Sequence, residues 1–205
     1  MAAAFATALL GALIFGAAGA CGIVAAAAIV PKLPKLEDAP PAVDFPPASL
    51  VIGAAAIGAA MGVRMPPVAL LVITAIVIVG LAAVWYCDAK TGIIPDVFTM
   101  VPLGIVIIYG LTQQQWMVLI STLVMFVPFG ILALVSKGRG MGWGDAKLAA
   151  LGGALLGIGS ATVAFVLASF VAALAAWLKY RKRNAPIAMG PYLVAAIAAS
   201  LPFTF

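Results

Sequence analysis

The segment VALLVITAIVIVGLAAVWYC, residues 68–87, contains twenty consecutive residues without a charge, and Asp88 follows it directly. About 20 apolar residues in a helix span the hydrocarbon core of a bilayer. Similar apolar runs recur along the whole chain. Because backbone polar groups have no water to bond inside a bilayer, such runs are stable there as helices. The sequence therefore predicts an all-α integral membrane protein.

The composition supports this fold class. Of the 205 residues, 66% are hydrophobic and 8% are charged, whereas a soluble domain carries about 25% charged residues. The chain has no histidine, which excludes catalysis and metal binding by imidazole. Cys21 and Cys87 lie in or at the end of apolar runs and form no paired motif, so both are interpreted as small packing residues. No metal and no cofactor is expected.

Charged, proline-rich or glycine-rich breaks divide the chain into apolar segments. Eight transmembrane spans are predicted, and they form a single membrane-embedded domain over 1–205. Because the sixth span is short, the number of spans is given as six to eight. The loop 31–49 is predicted to be an extended, proline-rich linker, and GIGS (157–160) a tight turn or a kink. The predicted spans are about 4–30, 49–64, 67–87, 97–112, 115–136, 146–158, 160–178 and 186–204.

The basic residues indicate how these spans are oriented. If the loops alternate between the two sides, ten of the eleven basic residues fall on one side and Arg64 alone falls on the other. The positive-inside rule makes the basic side cytoplasmic. The linker 31–49 is then cytoplasmic and both termini face outward. The net charge of +5 therefore reflects membrane topology, and no nucleic acid partner is expected.

The carboxylates suggest chemistry at one membrane face. Glu37, Asp38 and Asp44 lie in the linker and are expected to be solvated. Three others, Asp88, Asp96 and Asp145, lie at span ends on the predicted cytoplasmic side. Two carboxylates at low dielectric can share one proton and activate water. Spacing alone leaves other interpretations open: a helix N-cap for Asp96 and Asp145, or a proton relay in a transporter.

Three stretches, in this order along the chain, resemble the type IV prepilin peptidases. DAKTGIIPD (88–96) resembles their first signature, an Asp followed eight residues later by the Asp of a Pro-Asp pair. GMGWGDAKLAALGG (140–153) resembles their second, a GxGD motif followed by x-Lys-Leu. APIAMGPYLVAA (185–196) resembles a segment of their last helix. The resemblance covers about 85–205.

The resemblance implies an aspartic endopeptidase of the inner, cytoplasmic membrane. Such enzymes cut the basic leader from prepilins and pseudopilins, whose apolar N-terminal helix follows the leader, at the cytoplasmic face. The two catalytic aspartates carry over to Asp88 and Asp145, and Gly142 and Gly144 match the glycines of the GxGD motif. Matches whose roles the resemblance does not define are Pro95, Asp96, Lys147, Gly190 and Pro191.

One departure defines the expected activity more closely. Many members of the family carry a zinc-binding cytoplasmic domain between the first two spans and also methylate the new N-terminus. Here that place holds only the linker 31–49, which has no cysteine. The chain therefore resembles the shorter, peptidase-only form, and methyltransferase activity is not expected.

Two further alternatives stay open at this point. Presenilin-like and signal-peptide-peptidase-like proteases also use GxGD and cut inside a transmembrane helix, although the Pro-Asp and Lys-Leu pairs favour the prepilin type. A proton-coupled transporter would need polar residues at mid-membrane depth along several spans. Lys90 and Lys147 either act on the carboxylates and the leader or anchor span ends at the headgroups. The expected partners are the lipid bilayer and a prepilin, with a homodimer left open.

Overall fold

The computed structural model describes residues 2–34, 46–64, 66–136, 141–180 and 188–204. Within these ranges the chain forms α-helices and no β-strand, which confirms the predicted all-α class. A 3₁₀ turn, Val30–Lys32, follows the first helix. The helices are α1 (Ala2–Ile29), α2 (Pro47–Val63), α3 (Val68–Thr91), α4 (Val97–Thr112), α5 (Met117–Val135), α6 (Trp143–Tyr180) and α7 (Gly190–Thr204).

The surface of the bundle is apolar, as a membrane protein requires. Large hydrophobic side chains such as Phe5, Val68 and Phe203 are more than two-thirds exposed. Four helices in the described ranges are long and apolar enough to cross a membrane, and α2, α4 and α7 are shorter apolar helices. The predicted polytopic membrane fold is therefore confirmed. The four long candidates are Ala4–Lys32, Val68–Thr91, Met117–Val135 and Trp143–Leu178.

Helix α6 is broken at Gly157, where φ is 72° and ψ is 171°. A Cβ on Gly152 would collide with the ring of Phe165. Thirteen residues of straight helix would separate these two positions by about 20 Å, so the two arms of α6 fold back on each other. The predicted segments 146–158 and 160–178 are these two arms, and the predicted turn at GIGS lies between them. Counted separately, the arms give the described chain eight helical segments.

Two helices extend by two to four residues beyond their approximate predicted bounds. Helix α3 continues four residues past the predicted end at 87, and Asp88 lies in its last turn. Gly92 ends the helix in the left-handed region, with φ 67°, which glycine adopts at little cost. Helix α2 begins at Pro47, inside the predicted linker 31–49. Much of that linker, and the basic residues at 137, 139 and 181–183, lie outside the described residues.

Close packing between α1 and α2 depends on glycine. A Cβ on Gly58 would collide with the backbone of Gly11, and a Cβ on Gly62 would collide with that of Thr7. Small residues at such contacts let membrane helices approach closely. Cys87 is buried as predicted, but Cys21 is exposed on α1, so the packing interpretation of Cys21 was wrong.

Glycine contacts show that α1 and α2 run antiparallel, as do α5 and α6. At one face of the bundle the first turn of α6, with Lys147, packs on the loop that follows Lys90 at the end of α3, and Lys32 lies in η1, which contacts α3. Arg64 lies at the other face, with its guanidinium 5.9 Å from the ring centre of Phe203. Helices α4 and α7 each pack against both α3 and α6. They therefore hold together the two helices that carry Asp88 and Asp145.

Gly58→Ala should lower the free energy of unfolding by about 1–3 kcal/mol, the usual cost of overpacking. Gly53→Ala in the same helix is the matched control, because a Cβ there meets nothing within 4 Å and alanine is the better helix former. Thermal unfolding of both variants in detergent measures the difference. Equal stability of the two variants would contradict the close α1–α2 packing.

Candidate active site

Asp88 is held by the first residue of α7. Its side chain lies in the last turn of α3 and is 5% exposed. The Gly190 backbone N–H donates a 2.9 Å hydrogen bond to Asp88 Oδ2. A helix N-terminus presents unpaired N–H groups and a positive dipole end, both of which stabilise a carboxylate. A Cβ on Gly190 would lie 2.7 Å from Oδ2 and 2.9 Å from Cγ of Asp88, so this contact requires glycine.

Asp145 is held in a similar way at the start of α6. Its side chain is 9% exposed, and its Oδ2 accepts a 3.1 Å hydrogen bond from the Gly142 N–H. This is the reach-back of a third-position acid to the N-cap residue, so Asp145 does help to cap its helix. Its second oxygen, Oδ1, is buried and has no hydrogen-bond partner among the described residues. Capping therefore occupies only one of the two carboxylate oxygens.

The second glycine of the GxGD motif brings the two sequence motifs into contact. A Cβ on Gly144 would lie 2.7 Å from Ile94 Cβ. The first turn of α6 therefore packs directly on the α3–α4 loop, which belongs to the DAKTGIIPD stretch. Ile94 was not predicted as a site residue. The only feature of the sequence that could have indicated Ile94 was its position between Asp88 and Asp96 in the first motif.

An ion pair fixes the same two segments on the outside. Lys147 Nζ lies 2.6 Å from Asp96 Oδ1, and the two side chains are 25% and 65% exposed. Asp96 is the N-cap residue of α4, as its position predicted, but its side chain makes no capping hydrogen bond, so capping does not account for its carboxylate. An ion pair as exposed as this one contributes at most about 1 kcal/mol to stability. Its effect is to tie the start of α4 to the start of α6.

The remaining predicted positions lie around this centre. Pro95 lies in the turn before α4, where its carbonyl accepts the Phe98 N–H at 3.1 Å. Pro191 is buried in the first turn of α7, a position that tolerates the missing N–H of proline. Lys90 is half-buried in the last turn of α3. In the described segments, no three acidic or cysteine side chains come together as a set of metal ligands.

Asp88 and Asp145 interact electrostatically across the space between α3 and α6. Each is buried, and each has one oxygen fixed by a backbone N–H. Two neighbouring carboxylates at low dielectric do not both ionise readily. Such a pair supplies an acid and a base at one place.

These features define a polytopic membrane protein with a buried pair of acids at one face. The sequence model of the type IV leader peptidase family matches residues 75–177, which is half of the chain. The chain belongs to this family and is therefore a membrane peptidase. The matched range includes Asp88, Asp96 and Asp145, and it ends before α7. No curated protein and no solved structure matches the chain significantly.

Gly190→Ala should reduce peptidase activity by about 100-fold, because a displacement of about 1 Å at a reacting group costs that much. The new Cβ would push the Asp88 carboxylate away from its N–H donor. Gly159→Ala, whose Cβ would meet nothing within 4 Å, is the matched control. Rates should be compared at equal amounts of membrane-inserted protein. Wild-type activity of Gly190→Ala would show that the Gly190–Asp88 contact is not needed.

The ion pair should act on activity more than on stability. Asp96→Asn and Lys147→Met should each change the free energy of unfolding by less than about 1 kcal/mol but lower the rate of cleavage, because the start of α6 carries Asp145. The exchanged variant D96K/K147D should recover part of that rate. If exchange restores nothing while both single variants are slow, the pair does not position the site.

Proposed function

We propose that this protein is an aspartic-type endopeptidase that removes the basic leader from type IV prepilins and pseudopilins. Asp88 and Asp145 activate the water that attacks the peptide bond. One observation carries the proposal: two buried carboxylates lie at the same face of the bundle, and each is oriented by one backbone N–H. The family match supports it, because peptidase activity is what the family shares.

The reaction needs one shared proton. The ionised carboxylate takes a proton from water as the water oxygen bonds to the scissile carbonyl carbon, while the protonated carboxylic acid donates a hydrogen bond to the carbonyl oxygen. When the C–N bond breaks, that acid gives its proton to the leaving nitrogen. The leader then ends in a carboxylate, the mature chain begins with an ammonium group, and the pair again holds one proton. Asp145 Oδ1, which is buried without a partner among the described residues, suits the role of hydrogen-bond acceptor from this water.

The proposed site faces the cytoplasm. The Asp88–Asp145 pair lies at the face of the bundle that carries Lys32, Lys90 and Lys147, and Arg64 lies at the opposite face. By the positive-inside rule the more basic face is cytoplasmic, so both termini face outward and the linker 31–49 is cytoplasmic. A positively charged leader stays on this side, where the pair meets the bond between leader and helix. The whole of 1–205 then serves as one membrane-embedded peptidase domain.

Two observations favour this function over the alternatives. Asp88 lies in the last turn of α3 and Asp145 in the first turn of α6, so the pair lies at the ends of helices, which favours cleavage near the surface over cleavage within a transmembrane helix. The buried hydroxyls of the described chain offer no relay for a transporter, because each bonds to a carbonyl of its own helix. These hydroxyls belong to Thr74, Thr99, Ser121 and Thr122.

Asp88→Ala and Asp145→Ala should each abolish cleavage of a co-expressed type IV prepilin, with residual rates at least about 1,000-fold below wild type. Asp96→Ala removes a carboxylate at the same face but outside the pair; it should slow cleavage without abolishing it, and it serves as the control. Immunoblots resolve the cut and uncut prepilin at equal enzyme levels. Full cleavage by either Asp88→Ala or Asp145→Ala would refute the aspartic mechanism. A cut within the apolar helix would favour the presenilin-like alternative.

A further inference from the structure

A large apolar groove lies beside the site, between α2, α3 and α7. It encloses about 610 Å³. Along α2 its lining runs from Pro46 to Ile57, which is about 16 Å, or three helical turns. Ser49, Gly53 and Ala199 are exposed along it, so the groove is open to the surroundings of the bundle.

The α3 wall of the groove is in line with Asp88. On α3 it is lined by Ile78, Leu81 and Trp85, which follow one another at helical spacings of three and four. The next step of three along the same face is Asp88. Residues at this spacing lie above one another on one side of a helix. The α3 side of the groove therefore leads directly to the proposed catalytic carboxylate.

The α7 side leads to the same point. There the groove is lined by Val194 and Ala198, and the next step of four towards the start of the helix is Gly190. Gly190 is the residue whose N–H holds Asp88. About one helical turn beyond the last lining residue of each wall, the chain therefore reaches one partner of the Gly190–Asp88 hydrogen bond.

The groove is lined by many small side chains. Gly53, Ala54, Ala82, Ala195, Ala198 and Ala199 all contribute to its surface. Small residues allow the backbone of another helix to approach closely in a membrane, where packing contacts drive helix association. A lined length of about three turns is long enough for the first turns of such a helix.

We propose that this groove binds the apolar helix of the substrate, the segment that follows the bond to be cut. The proposal rests on the function proposed above, since a helix that begins directly after the scissile bond must start beside Asp88. A lipid acyl chain is the competing occupant. The helix is favoured because the groove leads to the catalytic carboxylate and because its small side chains permit contact with a helix backbone.

The first test fills the groove without disturbing the fold. A Cβ on Gly53 meets nothing within 4 Å, and the same holds for Gly104 on α4, which does not line the groove. Gly53→Phe should raise the KM for a type IV prepilin at least about tenfold and leave kcat near the wild-type value. Gly104→Phe, an equal change on another helix, should leave both constants unchanged. Equal thermal stability of the two variants excludes misfolding as the cause.

The second test identifies the occupant directly. A photo-crosslinking amino acid is placed at position 53 or 104 in the inactive Asp88→Asn background, in membranes that contain the same prepilin. Position 53 should form an adduct with the apolar helix of the prepilin, and position 104 should form none. Mass spectrometry of the adduct distinguishes a peptide from a lipid.

The outcomes separate the two proposals. If the wild-type enzyme cuts the prepilin but position 53 links only to lipid, or no more to the prepilin than position 104 does, the groove proposal is wrong and the proposed function stands. An unchanged KM in Gly53→Phe leads to the same conclusion. If the wild-type enzyme leaves a panel of type IV prepilins intact, the proposed function fails and the groove proposal fails with it.

Discussion

The structure depends on how two carboxylates are kept inside an apolar bundle. A buried carboxylate is costly unless hydrogen bonds replace the lost water. This chain provides few polar side chains for that purpose, and the N–H groups inside each helix are already paired. The first N–H groups of a helix are the exception. Asp88 and Asp145 each use such a donor, from Gly190 and Gly142 respectively, so the site lies where helices begin.

This requirement explains the glycines at the site. A side chain at Gly190 would collide with the carboxylate that its N–H must reach, and one at Gly144 would push α6 away from Ile94. Gly142 serves differently, because a Cβ there would lie 3.6 Å from Asp145 Oδ2, an ordinary contact distance. Its amide is the contribution that the structure shows. In the GxGD motif, Gly142 therefore supplies an N–H donor, Gly144 allows the close contact between α6 and the α3–α4 loop, and Asp145 supplies the carboxylate.

Much of the fold could be predicted because hydropathy alone marks membrane helices. The same signal could not place the end of α3, because Asp88 interrupts the apolar run while the helix continues to Thr91. The same signal predicted a turn or a kink at GIGS but could not show which glycine breaks α6, since Gly157 and Gly159 look alike in sequence and only Gly157 has a positive φ. The ion pair of Asp96 with Lys147 joins residues 51 positions apart. Only the three-dimensional packing of α4 against α6 brings them together.

The site and the groove together explain why the membrane is part of the proposed chemistry. Asp88 lies one helical step beyond the apolar wall of the groove and interacts with Asp145. A substrate whose sequence changes from basic to apolar at one bond would match this change from charged face to apolar groove. The bilayer would hold the apolar helix of the substrate at the membrane depth of the groove. The positive charge of the leader would hold the scissile bond at the face of the bundle where Asp88 and Asp145 lie. The enzyme would then select the bond at which the substrate changes from polar to apolar. Recognition of the side chains next to that bond would contribute little.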